Sequence, residues 1–157
     1  MEANISTASP PPGTSTWFCI RSHTAEDQPA VYESWLGTFK ISRAAGCIPN
    51  NLFDQVYSVA IDQLIERGMK VDIICPANRP SQMLGYVAYE PDPKATGKSV
   101  VHYLFVKAPF RRRGLATTLL AHVGNADGRF VYTYQTSFSK YFPAAFHNPG
   151  LARRKAL

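Results

Sequence analysis

The sequence predicts a single mixed α/β domain, and three observations carry that prediction. The 157 residues are enough for one ordinary domain and too few for two comfortable ones. Apolar periodicities run in the order β-α-α-β-β-β-α-β-α, so a meander of three strands precedes a helix, unlike a doubly wound fold. Hydrophobic residues make up 45%, aromatic residues 12% and charged residues only 18%, which excludes a fully disordered chain and a highly charged coiled coil. A domain of this size buries about 68–70% of its unfolded surface, so it needs no disulfide or metal staple.

The elements follow in order. Residues 1–15, rich in Ser, Thr, Pro and Gly, read as a flexible tail, residues 16–150 as the domain, and residues 151–157 as a short basic tail. Trp17 to Arg21 reads as a strand. Asp27 reads as the N-cap of a helix with Pro29 in its first turn, and Val31, Trp35, Leu36 and Phe39 share one face. Asn50 or Asn51 caps a longer helix in which Phe53, Val56, Ala60 and Leu64 share a face, with Gly68 at its C′ position. Lys70 to Cys75 is a strand, Pro76 to Pro80 a turn, and Met83 to Glu90 the next strand, with Gly85 as an internal weak point. Pro91 to Lys98 turns into the strongly apolar strand Ser99 to Lys107. The stretch Pro109 to Ala116 opens a helix that runs to about Val123. Phe130 to Thr136 reads as a strand and Ser139 to Phe146 as a short helix, stopped by Asn148-Pro149-Gly150.

The net charge of +6 resides in two places, Arg111-Arg112-Arg113 and Arg153-Arg154-Lys155. The remaining charges balance. Two local basic spots on a neutral body suit a small anionic ligand, and they argue against a nucleic-acid partner, which calls for a basic face or stripe. The three cysteines, Cys19, Cys47 and Cys75, have no metal-ligand spacing, so no metal site is expected. With no secretory leader pattern, their odd number predicts a reducing, cytoplasmic setting. No apolar run is long enough to span a membrane.

The first basic spot sits at a strand-to-helix junction. A helix N-terminus presents backbone N–H groups without partners and a partial positive charge, which together attract an anion. Gly114 lets the backbone approach a ligand closely, and Ala116 keeps the following turn narrow. Three arginines there oppose the helix dipole, at about 0.3–1 kcal/mol per charge. A bound phosphate would more than offset this, through charge-assisted hydrogen bonds worth about 1.5–3 kcal/mol each.

These residues resemble a known family. Arg111-Arg112-Arg113-Gly114-Leu115-Ala116 fits the R/Q-x-x-G-x-G/A signature of the GNAT family of acyl-CoA-dependent N-acyltransferases. The preceding Tyr103 to Phe110 is similar to that family's central strand and its L-x-V-x-P exit, and Gly85-Tyr86-Val87 to its third strand. The layout is similar from Trp17 to Phe146, and the diagnostic motif occupies residues 103–120. The resemblance implies a GNAT-like, mostly antiparallel mixed sheet with helices on both faces, splayed between strands 4 and 5, and a truncated C-terminal strand pair. It implies acetyl-CoA as cosubstrate. Backbone groups of Phe105 and Val106 would pair with the pantetheine arm. Backbone N–H groups from Arg112 through Arg113, Gly114, Leu115 and Ala116 to Thr117 would hold the pyrophosphate, with Arg111 at the signature position.

The implied reaction is direct attack of an amine on the acetyl thioester. A lysine acceptor of pKa about 10.4 is deprotonated at pH 7 at a cost of about 4.6 kcal/mol, against about 1 kcal/mol for an α-amine. A lysine acceptor therefore needs a base or water relay more than an α-amine does. A backbone N–H at Val106 would stabilise the oxyanion. Tyr141 lies where many family members carry the tyrosine that protonates the leaving thiolate, with Tyr134 as the alternative. Many members also carry a glutamate on the fourth strand, and Val100-Val101-His102-Tyr103-Leu104 has none. The base is then His102 or Glu90, each of which also reads as a structural residue. His122 reads as facing solvent or another layer.

The acceptor, on a protein, peptide or small molecule, is not legible. The loop from Phe39 to Asn51, with Lys40, Arg43 and Cys47, would form part of its wall. The truncated C-terminus leaves a sheet edge open, which invites a homodimer. It also leaves a second reading, a catalytically weak or inactive module that binds CoA or a macromolecular partner.

Overall fold

The computed structural model describes residues 17–41, 49–91, 98–134 and 136–153. The expected tail 1–15, most of the loop with Arg43 and Cys47, most of the turn after Pro91, and Arg154 and Lys155 lie outside the described residues.

Runs of Val, Ile and aromatic residues form the strands. They are β1 (Phe18–Ser22), β2 (Lys70–Pro76), β3 (Gly85–Pro91), β4 (Ser99–Val106), β5 (Val131–Tyr132) and β6 (Phe146–His147). They make one mixed sheet in the order β1-β2-β3-β4-β5-β6, and the sheet is open. The pairings from β1 to β4 are antiparallel, and β4–β5 and β5–β6 are parallel. Alternation along β2 sends Val71 and Ile73 to one face and Ile74 to the other. Helices α1 (Gln28–Ile41) and α2 (Asn50–Glu66) cover the first face, and α3 (Leu115–His122) the second. The sheet is thus sandwiched between two apolar layers, the mixed α/β architecture that the element order predicts.

In α1, Val31, Trp35, Leu36 and Phe39 are all buried, as their spacing predicts. In α2 the apolar face differs from the expected one. Phe53, Ile61 and Leu64 are buried with Tyr57 packed beside them, while Val56 is 54% exposed. Leu52, Val56 and Val59 instead point outward. Neither Asn50 nor Asn51 caps this helix. Pro49 is the N-cap, where the missing N–H is harmless. Asp27 stands directly before α1, and its carbonyl accepts from the N–H of Val31. Its carboxylate turns back to Arg21, in a bidentate pair at 2.6 and 2.8 Å, and to the N–H of Thr24 at 2.8 Å.

Two glycines are fixed by the backbone. Gly68 closes α2 at φ +106°, as expected for a C′ residue. Gly85 is a point of close approach: a Cβ there would lie 2.4 Å from the carbonyl oxygen of Phe105 on β4. The residue that reads as a weak point in the strand is what lets β3 and β4 pair closely at this end.

The C-terminal third corrects two expectations. The strand expected over Phe130 to Thr136 is only Val131–Tyr132, because β4 and β5 pair over just two positions, Val100 with Val131 and Val101 with Tyr132. The bond from the Thr133 N–H to the Val101 carbonyl, 3.1 Å, is where the two strands part. No helix forms over Ser139 to Phe146. Ser137–Tyr141 is a 3₁₀ turn, Pro143 has no N–H to extend it, and Phe146–His147 becomes β6 instead. The N–H groups of Phe146 and Asn148 donate to the carbonyls of Phe130 and Tyr132, each at 2.8 Å.

The Arg21–Asp27 pair makes stability depend on pH. The Arg21 guanidinium lowers the Asp27 pKa from 3.8 to about 2, against the opposing effect of burial. A depressed carboxylate contributes stability that is complete above its unfolded pKa and is lost as pH falls through the folded one. In urea titrations the native protein should therefore lose more stability between about pH 4 and pH 2 than Asp27→Asn does. At pH 7 that variant should be less stable by about 1–3 kcal/mol.

Candidate active site

The parting of β4 from β5 opens a cleft. Along β4 the backbone alternates in direction. The Lys107 N–H bonds the Leu84 carbonyl, so Phe105 and Tyr103 also direct their backbone groups to β3. Leu104 and Val106 direct theirs to the opposite side, where β5 has already turned away. The cleft there has a volume of about 460 Å³. Its walls include Tyr103, Phe105, Val106 and Phe110 from β4 and its exit, Thr38 from α1, and Thr136, Phe138, Tyr141 and Phe142 beyond β5.

The floor is the start of α3. Gly114 is its N-cap at φ +78°, ψ +6°, a left-handed conformation that glycine takes without strain. Leu115, Ala116 and Thr117 follow, and their N–H groups precede the first helical bond, from Thr118 to the Gly114 carbonyl at 2.9 Å. Arg112 also has positive φ, +62°, and is the one non-glycine residue with this conformation among the described residues. Such a conformation costs an L-residue about 1–2 kcal/mol and clusters at functional loops. Thr118 returns its hydroxyl to the Gly114 carbonyl, 2.9 Å, which ties the turn down.

Of the residues expected to hold the cosubstrate, Phe105, Val106, Arg111, Arg112, Gly114, Leu115, Ala116 and Thr117 all line this cleft. Arg113 is not among its walls: its guanidinium lies over the Phe110 ring, 5.9 Å from the centroid. Arg111 folds back, its Nε donating to the Val106 carbonyl at 2.8 Å. That bond occupies one acceptor on the open edge and clamps the loop to the end of β4. Phe105 contributes to the wall, but its backbone groups belong to the β3 pairing. The backbone groups facing the cleft are those of Leu104 and Val106.

The expected catalytic residues separate. Tyr141 lines the cleft and is 64% exposed, with the Lys140 ammonium 5.1 Å from its ring centroid. His102 and Glu90 do not line it. His102 is 1% exposed, at the fork itself, with Nδ1 2.8 Å from the Thr133 hydroxyl and Nε2 3.5 Å from the Glu90 carboxylate. At that distance Nε2 has no hydrogen bond, and it is buried. Glu90 is bonded by Arg67 Nε at 2.8 Å, and Arg67 Nη2 reaches the Leu151 carbonyl at 2.9 Å. Burial raises the Glu90 pKa, but His102 and Arg67 outweigh it and hold the carboxyl below its ordinary value. These residues join β3, β4, the end of α2 and the chain after β6. They hold the fork, and neither His102 nor Glu90 is among the residues lining the cleft.

His122 is bound rather than free, its Nε2 2.8 Å from Asp72. Burial raises the Asp72 pKa, and hydrogen bonds from His122 and Tyr89 overcome this and keep the carboxyl ionised. The pair fastens the C-terminal end of α3 to β2, which fixes where the N-terminus of α3 points. Sequence reasoning missed Thr38, Tyr103, Thr136, Phe138 and Phe142 as cleft residues. Phe138 and Phe142 could have been found from their four-residue spacing after the strand. Tyr103 could not, because its role depends on α1. Its hydroxyl donates to Thr38 Oγ1 at 2.5 Å, and burial raises its pKa against the effects of Thr38 and Arg111. The phenol therefore stays protonated.

Fold and site together define an open α/β sheet that is forked over a helix N-terminus. Residues 52–124 match the model of the Acetyltransferase (GNAT) family. No curated protein matches the sequence significantly. Among solved structures, the chain is similar to an inferred acetyl transferase from Pyrococcus furiosus, at 15% identity and a TM-score of 0.59, covering 80% of this chain and 89% of that one. This likeness shows the shared fold. An inferred GNAT acetyltransferase from Desulfovibrio desulfuricans is 18% identical with a TM-score of 0.44, over 68% of this chain and 63% of that one. A GNAT family N-acetyltransferase from Escherichia coli, in complex with CoA, is 20% identical with a TM-score of 0.42, over 67% of this chain and 53% of that one. The chain thus spans less than two thirds of the length of these last two. The family match supports acyl-CoA-dependent acyltransferase chemistry in general. Among the described residues, no helix is long and apolar enough to cross a membrane.

The buried His102–Thr133 bond yields a test. Thr133→Val keeps the shape and removes the hydroxyl, leaving Nδ1 of a buried imidazole without its partner. Its unfolding free energy should fall by about 1–3 kcal/mol, whereas Thr133→Ser should recover most of the loss. Urea denaturation followed by tryptophan fluorescence would measure both.

Proposed function

We propose that this chain is an acyl-CoA-dependent N-acyltransferase that moves an acetyl group from acetyl-CoA to an amine by direct attack in a ternary complex. The observation that carries the reading is the forked cleft, in which an unpaired strand edge runs down to the N-terminus of a helix. The open backbone groups of Leu104 suit an amide of a pantetheine arm, which would pair along the free edge of β4, while the Val106 carbonyl is taken by Arg111. The N–H groups of Leu115, Ala116 and Thr117, with the side chain of Arg112, suit the pyrophosphate. Acetyl-CoA supplies the activated thioester, and the apolar walls from Phe105, Phe110, Phe138 and Phe142 exclude water from it.

In this reading the Val106 N–H donates to the thioester oxygen as negative charge develops there. The Tyr141 hydroxyl donates a proton to the departing sulfur. His102 and Glu90 act as positioning residues at the fork. No carboxylate or imidazole is among the described residues lining the cleft, so proton removal falls to water or to an acceptor of low pKa. An α-amine, which loses its proton at pH 7 for about 1 kcal/mol, suits this site better than a lysine does. The same observation favours the competing reading, a module that binds CoA without turnover. Such a module would bind CoA and fail to acetylate any amine.

Calorimetric titration with acetyl-CoA and CoA tests the binding half. The intact protein should bind both at micromolar concentrations, and Gly114→Trp, which puts a large ring at the helix start, should weaken binding by about tenfold or more. No binding by the intact protein would overturn the reading. For the chemical half, a panel of α-amino and ε-amino acceptors should identify a substrate. With that substrate Tyr141→Phe should lower kcat by about 10²-fold while the KM for acetyl-CoA changes by less than about threefold. An unchanged kcat would remove Tyr141 from the mechanism.

A further inference from the structure

Outside the cleft, toward the β1 edge of the sheet, two thiols face each other. Cys19 on β1 and Cys75 on β2 are direct cross-strand partners, and their Sγ atoms are 3.3 Å apart. The neighbouring pairs show which kind of position this is. The Ala77 N–H donates to the Trp17 carbonyl and the His23 N–H to the Val71 carbonyl. Cys19 and Cys75 lie an even number of residues from both pairs, so theirs is a hydrogen-bonded pair, with Cα atoms about 5.5 Å apart. That separation is inside the window of about 4.4–6.8 Å that a disulfide spans, so closing the bond requires side-chain rotation and no strand movement.

We propose that Cys19 and Cys75 form a reversible cross-strand disulfide, a thiol-oxidation site separate from the cleft. The oxidant is a low-molecular-weight disulfide of the glutathione class. β1 is the edge of the sheet and Cys19 is half-buried, so its sulfur is the one a small disulfide reaches, while Cys75 is fully buried. Burial, with Cys19 beside it, raises the Cys75 thiol to about 11, so Cys75 is not the first to react. The exchange runs in two steps. Cys19, as thiolate, attacks one sulfur of the disulfide; an S–S bond forms to Cys19 and one glutathione thiolate leaves. Cys75 then loses its proton and attacks Cys19 Sγ, which expels the second glutathione as thiolate. Two protein thiols are oxidised, one disulfide is reduced to two thiols, and two protons pass from protein to solvent and glutathione.

The bond would close a loop that contains all of α1, α2 and most of β2, the whole helical layer on one face of the sheet. Cross-linking a long loop restricts the unfolded chain, so oxidation should stabilise the folded protein as a whole. Arg21, two residues along β1, places a positive charge that favours the Cys75 thiolate and so assists closure.

The test uses the full chain carrying Cys47→Ser, so that only these two thiols remain. It is equilibrated without air in reduced and oxidised glutathione at a series of ratios, quenched in acid, denatured and labelled with a maleimide. As the oxidised share rises, both thiols should be lost together, with the intact mass lower by two hydrogens, and dithiothreitol should restore them. The oxidised form should melt about 5–10 °C higher than the reduced form. A Cys19→Ser, Cys47→Ser variant should keep Cys75 as a free thiol at every ratio and show no such rise. Two thiols that stay reduced at all ratios would overturn the proposal. So would a product carrying a retained glutathione without ring closure.

Discussion

The structure depends on one constraint: β4 and β5 are parallel neighbours for only two residue pairs. A parallel pairing that stops this early leaves β4 with an unpaired edge inside the protein. Buried backbone groups need partners, so such an edge persists only where something else satisfies it or water reaches it. Here the edge opens into a cleft. The fork is held from behind by the imidazole of His102, between Thr133 and Glu90, and by Arg67, which links Glu90 to the chain after β6.

The other boundary of the cleft is set by α3. Its eight residues are short for a helix, and its position is fixed at both ends. At its C-terminal end His122 is bonded to Asp72 on β2, and at its N-terminal end Arg111 clamps the preceding loop to Val106. Between these anchors Leu115, Leu119 and Leu120 are buried against the sheet. The helix dipole and free N–H groups are therefore aimed at the mouth of the fork by packing on three sides. The left-handed conformations of Arg112 and Gly114 bring the loop around to meet it. Local strain at Arg112 is tolerated because both flanks are pinned.

Rigidity is distributed unevenly around this site. The face beneath α1 and α2 holds a nearly continuous aromatic cluster, in which Trp35 stacks on Tyr103 at 4.8 Å and Phe53 on Tyr57 at 4.3 Å. Tyr103 carries that rigidity into the cleft wall through its bond to Thr38. Beyond β5 the wall is a 3₁₀ turn and short segments that make aromatic contacts, Phe138 with Phe142 and Tyr132. The β4 side of the cleft is thus set in the sheet, and Tyr141 sits on the less regular side.

The sequence by itself determined the element order as far as β5, the apolar face of α1, the Gly68 stop and the start of α3 after Gly114. Each depends on interactions within a few residues, where periodicity and helix-end chemistry are decisive. It also carried the Arg111–Ala116 signature, because backbone donors and a glycine must be adjacent in the chain to act together. Only the tertiary structure decided the rest. The face of α2 was ambiguous, since Val56 and Tyr57 are both apolar enough and only packing against the sheet chose between them. The length of β5 was set by where it turns away from β4, and β6 replaced a helix because Phe130 and Tyr132 offered carbonyls. His102 and Glu90 carry side chains fit for proton transfer, yet His102 is buried at the fork and Glu90 is paired with Arg67, and neither lines the cleft. A residue type fixes what a group is able to do, while its neighbours in space fix whether a substrate reaches it.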